Sequence, residues 1–297
     1  MPATRSGTRR RSRRSSRSRT SPASKLFPFF FVGCWNKGSA SQGAVINAMK
    51  ELSVKINPKY IILGGDNIYP EKDATGRKIY SSERLQSGYE AMASLNVPII
   101  ASLGNHNIVD PTIYNTEMHK LGWTIPNNYY YIRFPSDNIQ LVVLDTNLYQ
   151  DNDEATLIKR KDQEEWLEAL LQAAKPRYET IIVQHQPLMG YKKKKQATIL
   201  ALPNAERLHE ILSVHRPVAV LSADIHNYQD LELESPRVHQ LIVGTGGADL
   251  DELPMFSGSK PPNIRDAYYG NGFLVVNGIR PRTRGSPPKL DYTFIAV

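Results

Sequence analysis

The sequence predicts an α/β fold with two mixed β-sheets packed face to face and helices on the outside. Three observations carry this. From residue 27 to about residue 221, short apolar runs alternate with stretches of helical periodicity. Beyond residue 221, strand-like runs follow one another between Gly- and Pro-rich turns, with no helix between them. Five of the strand-like runs pass directly into polar residues able to bind a metal ion. Ligands bind at the carboxyl ends of strands in such sheets, so residues far apart in sequence are delivered to one edge.

The first strand is residues 27–32, ending in Gly33-Cys34-Trp35-Asn36. This stretch follows basic residues as a targeting signal would. It is too short to span a bilayer, is broken by Pro28 and lacks a small-residue cleavage site. Ser41 caps a helix with Val45, Ala48, Met49 and Leu52 on one face. Residues 60–63 form a buried strand that runs into Gly64-Gly65-Asp66-Asn67-Ile68-Tyr69. Residues 71–81 are polar and read as a surface insertion, and Ser82 opens a second helix carrying Leu85, Tyr89 and Met92. A strand at 97–101 precedes Gly104-Asn105-His106-Asn107, and Asp110-Pro111 starts a short helix to about Leu121.

Residues 129–134 and 139–144 read as a hairpin, and 162–175 as a helix whose Trp166, Leu167, Leu170 and Leu171 belong to the core. A strand at 180–183 leads to Gln184-His185-Gln186-Pro187; a loop at 191–196 and a helix at 204–214 follow. The strand at 218–221 delivers Ser222-Ala223-Asp224-Ile225-His226. The last strands are 231–233, 238–244, 272–277 and 290–296.

The formal charge of +8 over 297 residues is unevenly spread. Residues 1–25 hold eight arginines and Lys25 without an acid, a charge of +9, so residues 26–297 carry −1. This Arg/Ser segment has too few apolar groups to repay ordering, and it reads as a disordered tail preceding one domain, 26–297. Clustered arginine suits nucleic acid or another polyanion, or a nuclear address. Cys34 is the only cysteine, so no intrachain disulfide forms and nothing argues for an oxidising compartment. The expectation is an intracellular protein, nuclear or cytoplasmic, not secreted and without a membrane partner.

Cys34, Asp66, Tyr69, Asn105, His106, His185, Asp224 and His226 therefore stand at five strand ends. Mixed oxygen and imidazole donors suit zinc, iron or manganese, and two such ions can clamp the attacking and leaving oxygens of a phosphoryl group. In order, the runs GGDNIY, LGNHN, VQHQP and ADIHNYQ resemble the signature blocks of calcineurin-like metallophosphoesterases. GGDNIY with its tyrosine is most similar to the purple (tartrate-resistant) acid phosphatase branch. The resemblance implies a four-layer αββα sandwich and hydrolysis of a phosphate ester by a metal-bound hydroxide at a binuclear site. It further implies that Asp66 bridges the ions, with Tyr69, His226 and position 34 on the first and Asn105, His185 and position 224 on the second. His106 would lie beside the phosphate, stabilising charge or protonating the leaving group.

This chain departs from the family pattern at several positions. Cys34 replaces an aspartate, Asp224 a histidine, Asn36 and Ala223 glycines, and Asn107 an acid. A thiolate and a carboxylate both remain ligand-competent. Cys34 on its own reads equally as a buried small hydrophobe or as a ligand. A cysteine-phosphatase loop is excluded because position 40 is Ala40, not arginine. Lys192, Lys193, Lys194 and Lys195 follow His185 closely and could steer anionic substrate. His119, His209, His215 and His239 have no acidic companions in the pattern and read as structural. The rival to a phosphoesterase is an impaired relative that acts as a binding protein, its tail contacting nucleic acid.

Overall fold

The computed structural model describes residues 25–297 apart from 194–196, 255–260, 282 and 284–285. Residues 1–24 of the predicted tail, Lys194 and Lys195 lie outside the described residues. In chain order the first half comprises β1 (Lys25–Val32), α1 (Ala40–Ile56), β2 (Tyr60–Leu63), β3 (Glu71–Lys72), β4 (Lys78–Ile79), α2 (Ser82–Ala93), β5 (Ile99–Ala101), β6 (Tyr130–Phe134) and β7 (Ile139–Val143). The second comprises α3 (Glu154–Ala174), β8 (Glu179–Val183), β9 (Met189–Lys193), β10 (Ala197–Ala201), α4 (Glu206–His215), β11 (Ala219–Ser222), β12 (Tyr228–Glu234), β13 (Arg237–Val243), β14 (Ile264–Tyr268), β15 (Gly272–Arg280) and β16 (Lys289–Ala296).

Two large sheets form, one in the order β16-β15-β1-β2-β5 and one in the order β14-β12-β13-β11-β8-β7-β6. The period of two along a strand explains how they stack. Ile139, Leu141 and Val143 of β7, Ile181 and Val183 of β8, and Ala219 and Leu221 of β11 share one core with Phe29 and Phe31 of β1. The intervening Val142, Ile182 and Val220 turn the other way and pack with Leu167 and Leu171 of α3 and Leu208 and Leu212 of α4. Helix α1 buries Val45 and Met49 within the first core. The result is the predicted mixed α/β sandwich with helices outside. Among the described residues, no helix is long and apolar enough to cross a membrane.

Several local expectations shift. Helix α1 is capped by Ser39 rather than Ser41, because the Ser39 hydroxyl accepts from Gln42 N–H and donates to the Gly247 carbonyl (2.6 Å). Helix α3 starts at Glu154, capped by Asp153, well before residue 162; its first turns are polar and carry little periodic signal. The stretch after Asp110 winds as a π turn followed by a 3₁₀ turn, Ile113–Glu117 and Met118–Lys120. The expected loop at 191–196 is instead the β9–β10 hairpin, with Tyr191 facing Ile199. Strand β14 was hidden by its polar composition. His239 does have an acidic companion, since its Nε2 lies 2.9 Å from Asp230 Oδ1 and Tyr292 also reaches that carboxylate.

Candidate metal centre

The parallel strands end in register, and this gathers the polar loops. Val32 lies beside Leu63, and Leu63 beside Ala101, so β1, β2 and β5 finish together. Val183 pairs with Leu221 in the second sheet, and Gly33 N–H donates to the Val243 carbonyl (3.0 Å), joining the two sheets at this end. The loops leave their strands through sharp turns. Cys34, Asp66 and Asp224 take φ values of 54°, 51° and 59°, a left-handed conformation uncommon for residues other than glycine and typical of functional sites. Close approach demands glycine too: a Cβ on Gly65 would fall 2.4 Å from His185 Nδ1.

His185 is fully buried, and its Nδ1 donates to the Gly64 carbonyl (2.8 Å). Its Nε2 lone pair therefore faces Asn105 Oδ1 at 3.1 Å, Asp66 Oδ1 at 3.3 Å and Asp224 Oδ1 at 3.6 Å. Three oxygens crowd one imidazole nitrogen, which is unfavourable unless a proton or cation lies among them, and Asp66 and His185 belong with Cys34 to a cluster that could hold a metal ion. The same field holds a proton when no metal competes. Burial alone would lower the His185 imidazole, but Asp66 and then Asp224 push it up to about 9. Burial likewise acts to raise the Asp66 carboxyl, yet the charge and hydrogen bond of His185 hold it down at about 2.

The other oxygen of Asp66 serves a second group. Asp66 Oδ2 accepts from the Tyr69 hydroxyl (2.9 Å), which also lies 3.1 Å from His226 Nε2. His226 Nδ1 donates to the Asp249 carbonyl (2.6 Å), so its Nε2 also presents a lone pair. One phenol proton thus faces two acceptors, again a cluster short of positive charge. The Cys34 sulfur, a carboxylate oxygen of Asp66 and a ring nitrogen of His185 lie within 4.8 Å of one another. Burial raises the Cys34 thiol well above its ordinary range, and Asp66 and Asp224 raise it further. Burial also raises the Tyr69 phenol, with Cys34 and Asp66 adding to the effect.

His106 stands at the rim, half-buried, its ring 4.5 Å from that of Tyr69 and its backbone N–H donating to Asp66 Oδ1 (2.9 Å). Burial lowers its imidazole, while the Asp66 charge acts the other way.

A model of the calcineurin-like phosphoesterase family matches residues 27–228, most of the chain and every strand-end loop just described. The chain belongs to that family. Solved structures share its fold at low identity. GAP50, described as the anchor in the inner membrane complex of Plasmodium, is 17% identical with a TM-score of 0.67, covering 91% of this chain and 84% of its own. The purple acid phosphatase PPD1 of yellow lupin is 14% identical with a TM-score of 0.59, over 86% of this chain and 50% of its own. A dimetal phosphatase from Danio rerio is 12% identical with a TM-score of 0.53, over 91% and 99%. No curated protein sequence matches the chain.

The departures from the family pattern have distinct surroundings. Asn107 is buried and points away from the centre: its Oδ1 accepts from Gly104 N–H (2.8 Å) and from the backbone and side-chain N–H groups of Asn67 (3.3 Å each), bracing two of the family's loops. Asn36 donates to the Asn67 and Arg84 carbonyls (3.0 and 3.1 Å) and occupies the space a Cβ on Gly88 would fill. The Ala223 methyl abuts Gly33, where a Cβ would be only 2.4 Å away. Of these departures, only Cys34 and Asp224 lie against Asp66 or His185.

Lys192 and Lys193 are engaged. Lys192 pairs with Asp251 Oδ1 (2.6 Å), whose Oδ2 accepts from His226 N–H (3.0 Å), and Lys193 pairs with Glu252. Lys37 similarly pairs with Asp249. Asp249, Asp251 and Tyr80, whose hydroxyl lies 2.7 Å from His106 Nδ1, were not legible as site residues. Asp249 and Asp251 lie beyond the matched motifs and Tyr80 in an apparent surface insertion, so no local pattern marks them.

Proposed function

We propose that this chain is a metal-dependent phosphoesterase whose two ions, of zinc, manganese or iron, share Asp66. The observation that carries this reading is the division of one carboxylate: Asp66 Oδ1 lies against His185 Nε2, which also faces Asn105 and Asp224, while Asp66 Oδ2 accepts from Tyr69, whose hydroxyl also reaches His226. One ion would be held by Asp66, Asn105, His185 and Asp224, the other by Asp66, Tyr69, His226 and Cys34. Bound metal supplies positive charge that polarises a phosphoryl oxygen and acidifies water. The chain's own residues do the rest. Water adds to phosphorus as the P–O bond to the leaving alcohol breaks, His106 gives the departing oxygen a proton, and the proton shed by the attacking water passes to solvent. The anionic Asp224 and the sulfur donor soften the Lewis acidity of the ions, so turnover is slow. Residues 1–25 would contact nucleic acid or another polyanion, and the protein would work inside the cell.

The test reconstitutes purified protein with zinc, manganese or iron and measures metal content together with hydrolysis of an aryl phosphate. Metal is expected to be retained. Hydrolysis is expected to disappear in Asp66→Asn and His185→Ala; in His106→Ala it is expected to fall about a hundredfold on an alkyl phosphate, whose leaving group needs a proton, and far less on a nitrophenyl ester. Cys34→Asp combined with Asp224→His is expected to raise the rate by about tenfold, equivalent to about 1.4 kcal/mol of barrier. Protein that retains no metal, with a double variant that restores neither metal nor hydrolysis, would return the chain to a binding role.

A further inference from the structure

The excursion between β2 and α2 does more than cover the surface. Its two short strands pair through Glu71 and Ile79, and its return is fixed where Ser81 caps α2. Glu71 accepts from Ser81 and pairs with Arg84 at 2.8 Å, so both ends of the excursion are tied to the start of the helix. Tyr80 sits just before that cap, and its hydroxyl lies 2.7 Å from His106 Nδ1, with the ring centroids 6.1 Å apart. The face of the His106 ring meets Tyr69, and its backbone is held by Asp66.

We infer that Tyr80 is the positioning residue for His106: its oxygen accepts the Nδ1 proton, which leaves Nε2 as the nitrogen that carries the mobile proton. The inference rests on the phosphoesterase reading for its catalytic consequence, and on the hydrogen bond alone for its structural one. A neutral imidazole carries one N–H, and the partner of one nitrogen decides where that proton sits. With Nδ1–H directed at the Tyr80 oxygen, a proton on Nε2 can pass to the leaving oxygen as the P–O bond breaks. The imidazolium that has given up its Nε2 proton is left as the neutral ring in the same orientation, Nδ1–H still held, and regains a proton at Nε2 from water. A phenol suits this task differently from a carboxylate. It orients the ring without adding a negative charge beside a centre that already contains Asp66 and Asp224.

Tyr80→Phe removes the hydroxyl and keeps the ring. Nitrogen-resolved NMR of the His106 ring, assigned with His106→Gln and recorded where the ring is neutral, should show the proton on Nδ1 in the parent protein and predominantly on Nε2 in Tyr80→Phe. In metal-loaded protein, the variant should lose about tenfold to a hundredfold in kcat on an alkyl phosphate, whose leaving group needs a proton. On nitrophenyl phosphate, whose leaving group departs without one, the loss should stay under about threefold, with metal content unchanged. An unchanged tautomer, or equal losses on the two esters, overturns the inference. Parent protein that hydrolyses neither ester overturns the phosphoesterase reading instead, and the NMR comparison still decides whether Tyr80 directs His106.

Discussion

At the scale of single residues, Gly104 is a tight point in the centre. A Cβ there would fall 2.3 Å from both the backbone nitrogen and Oδ1 of Asp66, and 2.8 Å from His185 Cε1. Neither neighbour is the free end of a flexible chain, so the loops themselves must move. Gly104→Ala is expected to cost about 1–3 kcal/mol of stability and to weaken metal binding, measured by denaturant unfolding and by metal titration. Gly43, inside α1, provides the contrast because nothing lies within 4 Å of its missing Cβ. Gly43→Ala should stabilise the protein by about 0.5–1 kcal/mol and leave metal binding alone. The same close packing explains which parts of the centre were legible in the sequence. The glycines, acids and histidines of GGDNIY, LGNHN and ADIHNYQ are the residue types that sharp turns and ligation require, whatever surrounds them.

At the scale of elements, the β9–β10 hairpin and the loop at 249–252 act as one support. Lys192 neutralises Asp251, which receives the His226 N–H and returns its own N–H to the His226 carbonyl (2.9 Å). The pair is partly sheltered, with the Asp251 side chain 15% exposed, so its loss should reach His226 rather than vanish into solvent. Lys192→Ser is therefore expected to lower kcat about tenfold at every ionic strength, and Asp251→Asn should do the same. A steering role for Lys192–Lys195 makes a different forecast, a higher KM at low salt with kcat intact. Michaelis constants measured across ionic strength separate the two. The hairpin was not legible because four consecutive lysines look like solvated loop, whereas its pairing depends on Gln229 and Glu252 far along the chain.

At the scale of the whole molecule, the basic charge is concentrated at residues 1–25, and of these Lys25 already pairs with Ile279 in β1 and β15. Deleting residues 1–24 should leave thermal unfolding and metal content unchanged while abolishing salt-sensitive binding to DNA or RNA, measured by titration at two salt concentrations. Equal binding by the shortened chain at low salt would assign the binding to the folded body. By itself the sequence determined the α/β sandwich class, most of its strands and the five polar loops that end them. Those features depend on local periodicity and on residue types fixed by turn geometry. Only the tertiary structure decided that Asp66 turns one oxygen to His185 and the other to Tyr69, that Asn107 braces loops instead of facing the centre, and that Tyr80, Asp249 and Asp251 attend His106 and His226. These depend on segments that meet only when two sheets stack and their edges close, and no spacing along the chain encodes that meeting.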